Sequence, residues 1–86
     1  MRPSLEPEEL GFILEEAVRA NLGIITFTAP RIICLIRKYA ANIPTRNRRR
    51  IIKLIDLWLE GTHIANDGAE EWDKLSKYLK MLTGDC

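Results

Sequence analysis

Of the side chains that most often carry catalysis, the chain holds one histidine, His63, two serines, Ser4 and Ser76, and two cysteines, Cys34 and Cys86. Nucleophilic catalysis needs a nucleophile, a base that takes its proton and a group that orients the base. His63 sits in a loop-like stretch with none of these beside it. The carboxylates Glu15/Glu16 and Glu70/Glu71/Asp73 are adjacent on helical stretches and read as solvated faces. No Cys–His spacing suits zinc, and the five glycines read as helix stops and turns, not as a phosphate-cradling loop. The residues point to a non-enzymatic domain with no metal and no cofactor.

The chemistry this chain does offer is positive charge. Arg46-Asn47-Arg48-Arg49-Arg50 opens a helical stretch, where the partial positive charge of the helix start favours acids. The arginines also repel one another at i,i+3 and i,i+4. The other helix starts carry acids: Glu8 and Glu9 early, Glu70 and Glu71 late. At roughly 100° per residue, Arg46, Arg49, Arg50 and Lys53 share one side of the helix, with Leu57 among them. Ile52, Ile55, Trp58 and Leu59 take the opposite, core side, so Trp58 is expected to be buried. Arg48 points nearer the core edge, where its stem can lie along apolar surface. A turn as short as Ile43-Pro44-Thr45 favours packing of the flanking helices, which brings Arg37 and Lys38 toward the cluster. Two readings of this face stand open. It is a site for an anionic surface, or a solvated face neutralised by acidic helices beside it.

Four periodic stripes supply the elements that position these groups. Leu10, Ile13, Leu14, Ala17, Val18 and Leu22 recur at helical spacing, with Pro7, Glu8 and Glu9 in the first turn and Asn21 and Gly23 as the stop. A second helix is capped by Thr28, has Pro30 in its first turn and carries Ile32, Ile33, Leu35, Ile36, Tyr39 and Ala40 up to Asn42, before Pro44. Thr45 caps the third, whose stripe runs from Ile51 to Leu59 and ends at Gly61. After a turn over 62–66, Asp67 and Glu70 have the spacing of a capping box. Trp72, Leu75, Leu79 and Leu82 line the fourth helix, which Gly84 ends. Ile24-Ile25-Thr26-Phe27 is strand-like but too short and isolated for a sheet, and reads as an extended linker. The fold class is all-α, a compact bundle of about four helices with short loops forming a single domain over 1–86.

Length and composition agree. A chain of 86 residues buries roughly 60–65% of its unfolded surface, a thin but real core. It is 47% apolar and 29% charged, as globular proteins are. The longest apolar stretch falls far short of the roughly 20 residues of a membrane span, and no signal peptide is visible. Cys34, within Ile32-Ile33-Cys34-Leu35-Ile36, reads as a small buried hydrophobe, and Cys86 as exposed. A reducing, intracellular setting, cytoplasmic or nuclear, fits best. The net charge of +1 conceals segregation: residues 31–53 carry eight bases and no acid, between two acidic ends. Such segregation bears on partners and association rates.

The compact helical length, the Arg46–Lys53 basic patch and the closing helix Trp72-Asp73-Lys74-Leu75-Ser76-Lys77-Tyr78-Leu79, running almost to Cys86, resemble one family. This is the C-terminal nucleoprotein-binding domain of phosphoproteins of negative-strand RNA viruses, particularly rhabdoviruses. The resemblance implies a non-enzymatic domain, working in a host cell, that tethers a polymerase cofactor to the nucleoprotein–RNA template. Arg46, Arg49, Arg50 and Lys53 would then face acidic groups on the nucleoprotein. It leaves the acidic first and fourth helices unexplained.

Three readings follow. The first is an interaction module whose basic face, Arg46, Arg49, Arg50, Lys53 and Leu57 with Arg37 and Lys38, docks on an acidic protein surface. The second is direct nucleic-acid binding in helix-turn-helix fashion, with Arg46, Asn47, Arg49 and Arg50 entering the major groove. The third is self-association of a basic stripe with an acidic stripe of another copy.

Overall fold

The computed structural model describes residues 6–22, 29–61 and 67–84. Within them lie four α-helices, α1 (Pro7–Asn21), α2 (Ala29–Tyr39), α3 (Thr45–Gly61) and α4 (Asp67–Thr83), and a 3₁₀ turn over Ala40–Asn42. No strand occurs among the described residues, and the chain is an all-α bundle, as the four stripes predict. The Thr28 cap, the linker 24–27, the turn 62–66 with His63, and also Ser4 and Cys86, lie outside the described residues.

Local chemistry accounts for most helix ends. Glu6 stands extended at the N-cap of α1, and Pro7 takes the first helical position, where its missing N–H has no partner to lose. At the other end the Leu22 N–H donates to the Val18 carbonyl at 2.9 Å. The Asn21 amide also folds back, Nδ2 donating to the Ala17 carbonyl at 2.7 Å. After α2 the chain tightens into the 3₁₀ turn and then extends at Ile43, the conformation that the following Pro44 imposes. The carbonyl of Pro44 accepts the N–H groups of Asn47 and Arg48 at 3.0 and 3.1 Å. Pro44 therefore holds the cap position of α3, and Thr45 is its first helical residue, so the helix begins one place earlier than the sequence suggests. Asp67 likewise begins α4 itself, and Glu70 pairs with Lys74 at 3.5 Å. Gly84 closes α4 at φ +83°, a left-handed geometry that suits glycine, and its N–H donates to the Lys80 carbonyl at 3.0 Å.

Helix α3 is the central element, packed against α4 and α1, while α2 leans chiefly on α4. Val18, Ile36, Ile51, Ile55, Leu75 and Leu79 are fully enclosed where these helices meet. The core tryptophan is Trp72, 2% exposed. Trp58, expected in the core, lies near the C-terminal end of α3 and packs only partly buried against its edge. Cys34 is exposed, not buried. The run around it is apolar on all sides, but α2 buries only the face of Ile33 and Ile36, which turns Cys34 and Leu35 outward.

Candidate functional site

Helix α3 presents its outer stripe between α1 on one flank and α4 on the other. Arg46, Arg49, Arg50, Lys53 and Leu57 are all exposed along it, Leu57 at 56%. Their spacing of three and four residues keeps them in one line, as helical geometry requires. A shallow depression runs along the lower part of this stripe, lined by Arg49, Ile52, Lys53, Asp56, Leu57 and Glu60. The Lys53 side chain makes no ion pair or hydrogen bond with any described residue.

The α1 flank partly neutralises the stripe. Arg46 Nη2 lies 3.2 Å from Glu8 Oε1, with both side chains mostly exposed. Arg50 Nη1 lies 4.0 Å from Glu15 Oε2. Glu15, read from sequence as part of a solvated face, is 5% exposed. Its carboxylate accepts a hydrogen bond from Asn47 Nδ2 at 2.5 Å. Gly11 makes this approach of α1 to α3 possible, because a Cβ there would sit 2.5 Å from Asn47 Cγ. Asn47 Oδ1 is buried and has no hydrogen-bond partner among the described residues. Of the acidic residues on the stripe's flanks, Glu16, Glu70, Glu71 and Asp73 do form solvated faces, paired with Arg19, Lys74 and Lys77 on their own helices.

The α4 flank carries structural contacts. Asp56 Oδ1 accepts the Ser76 hydroxyl at 2.7 Å, and its Oδ2 lies 3.0 Å from Lys80 Nζ. Arg48 turns away from the stripe and ties the chain together. Its Nη1 donates to the carbonyls of Ala40 at 2.9 Å and Ile43 at 3.0 Å. Its Nη2 reaches Thr45 Oγ1 at 3.0 Å and its Nε reaches Thr83 Oγ1 at 3.2 Å.

Two expected members stand apart. Arg37 lies over the Tyr78 ring of α4, 5.8 Å from its centroid, and Lys38 over Tyr39 at 5.5 Å. The short connection does not make α2 and α3 close neighbours, because α2 is drawn onto α4 instead. Asn47, which the helix-turn-helix reading aims at bases, is 1% exposed and held by Glu15. The signals for this buried pair are a glycine inside the α1 stripe and an asparagine inside a run of arginines. Neither names its partner.

Among the described residues no group of three or more His, Cys, Asp or Glu is placed to hold a metal ion, and no helix is long and apolar enough to cross a membrane. Fold and surface together describe a small all-α domain with a basic outward helix face. No protein-family model matches the chain, and neither a curated protein nor a solved structure is significantly similar to it.

Proposed function

We propose that this domain is a non-enzymatic interaction module whose α3 outer stripe docks on an acidic protein surface inside the cell. The observation that carries this reading is the unbroken exposed line Arg46–Arg49–Arg50–Lys53 with Leu57 at its end. Cations at such a face steer an acidic partner, and an exposed leucine among them supplies apolar contact once it arrives. Arg46 and Arg50 keep more than half of their side-chain surface exposed even in their pairs with Glu8 and Glu15. The Arg46–Glu8 pair, exposed on both sides, is of the weak kind that exchanges readily for a new carboxylate. The concrete candidate partner, taken from the resemblance to rhabdovirus phosphoprotein domains, is an acidic face of a nucleoprotein–RNA template.

Buried Asn47 and the acidic α1 beside the stripe weigh against direct docking in a DNA groove. The only serine hydroxyl among the described residues, on Ser76, is 1% exposed and donates to Asp56, a setting for holding helices together.

The test is titration of the purified domain onto a nucleoprotein–RNA complex, with bare RNA and DNA duplexes in parallel at physiological salt. Lys53→Glu and Arg49→Glu should each weaken binding to the complex by about tenfold or more, as truncated charge pairs do, with the circular dichroism unchanged. Undiminished binding by both variants removes the α3 face from the interaction. Submicromolar binding to the bare duplexes replaces the protein partner with nucleic acid.

A further inference from the structure

The outer faces of α1 and α2 carry the same pattern with opposite charge. On α1, Glu9, Phe12, Ile13 and Glu16 follow one another at i, i+3, i+4 and i+7, on the side away from buried Leu14 and Val18. On α2, Arg31, Cys34, Leu35 and Lys38 follow at the same spacing, on the side away from buried Ile33 and Ile36. Each stripe is a charge, two apolar side chains and a second like charge two helical turns further on. The apolar pairs are not covered: Phe12 is 54% exposed, Ile13 51% and Leu35 44%. Cys34 is exposed with them.

We infer that this chain self-associates, the acidic α1 stripe of one copy lying on the basic α2 stripe of another. The charged ends of both stripes are about 10.5 Å apart along the helix, two turns of 5.4 Å pitch. When the apolar pairs meet at the centre, Glu9 and Glu16 therefore fall opposite Arg31 and Lys38. Like stripes repel, so α1 against α1 and α2 against α2 are disfavoured, and the contact has one sense. The charges are available for it. Glu9 and Arg31 make no ion pair with any described residue. Among the described residues Glu16 holds only an exposed pair with Arg19 on its own helix, and Lys38 lies over its neighbour Tyr39. The same contact made twice between two copies, α1 on α2 and α2 on α1, closes a two-fold dimer; made once per copy it propagates a chain. This surface is separate from the α3 stripe, so either reading stands or falls without the other.

The experiment uses the full chain with Cys86→Ser, leaving Cys34 as its thiol. Sedimentation velocity should show mass rising with concentration, and thiol labelling of Cys34 should slow in parallel. A Glu9→Lys/Glu16→Lys variant and an Arg31→Glu/Lys38→Glu variant should each be monomeric where the parent associates. Their equimolar mixture should associate again, because each supplies the stripe that the other's altered stripe can pair with. Ile13→Cys should form an oxidative crosslink to Cys34 of a second copy, while Glu60→Cys on α3 should not. Circular dichroism of every variant checks that the helices are intact, and Arg49→Glu should leave association unchanged. A parent that stays monomeric to millimolar concentration overturns the inference. So does association that survives both charge reversals, or a mixture that remains monomeric.

Discussion

Asn47 on α3 donates its amide to the buried carboxylate of Glu15 on α1, an N–O distance of 2.5 Å across the interface that Gly11 opens. Among the described residues, Asn47→Ala leaves Glu15 with only the Arg50 guanidinium at 4.0 Å. A buried acceptor deprived of its donor destabilises by about 1–3 kcal/mol, and thermal melts should show that loss. Gly11→Ala should also lower the melting temperature, although alanine is the better helix former, because its Cβ would meet the Asn47 side chain. The two effects should be less than additive in the double variant, since Asn47→Ala removes the two closest clashing atoms.

Arg48 should prove the structural arginine of the run. Arg48→Ala strips the carbonyls of Ala40 and Ile43 of a charged donor and unties the end of α4 at Thr83. A loss of about 2–3 kcal/mol is expected by urea unfolding. Arg46→Ala, which breaks only an exposed pair with Glu8, should change stability by less than about 1 kcal/mol. Arg48→Lys should recover only part of the loss, because an ammonium lacks the planar fork that reaches several acceptors at once. Equal stabilities for Arg48→Ala and Arg46→Ala would contradict this division of labour.

The two tryptophans should behave differently. Trp72→Ala, at 2% exposure, removes a large side chain from the centre and should cost about 3–5 kcal/mol, enough to unfold a domain of this size. Trp58→Ala, at the edge of the core, should leave a folded protein with a lower melting temperature. In fluorescence, Trp72 should emit to the blue and resist acrylamide quenching, while Trp58 should be quenched readily.

Asp56 joins α3 to α4 through Ser76 and Lys80. Asp56→Ala strands the buried Ser76 hydroxyl and should cost about 1–2 kcal/mol, whereas adding Ser76→Ala to it should cost little more. A double-mutant cycle read by chemical denaturation measures the coupling. A coupling near zero would mean that the hydroxyl finds another partner.

Helical period and punctuation determine much of this protein. The stripes of Leu14 and Val18, Ile51 and Ile55, and Leu75 and Leu79 mark the buried faces. Pro7 and Gly84 mark a start and a stop. The same period places Arg46, Arg49, Arg50, Lys53 and Leu57 on one outward line and turns Arg48 toward the core edge. These properties follow from the angle between successive side chains, which a sequence contains. Which neighbour covers a given angle is decided only when the helices pack. Glu15 is buried because α1 closes on α3 through Gly11, while the adjacent Glu16 remains in solvent. Cys34 is exposed, and Arg37 lies over Tyr78, because α2 packs on α4 and leaves its other side open. Trp72 lies at the centre of the core and Trp58 only at its edge, because Trp58 sits near the end of α3, the helix on which α4 packs. Periodicity says which way a residue faces on its own helix, and only tertiary contact says what it faces.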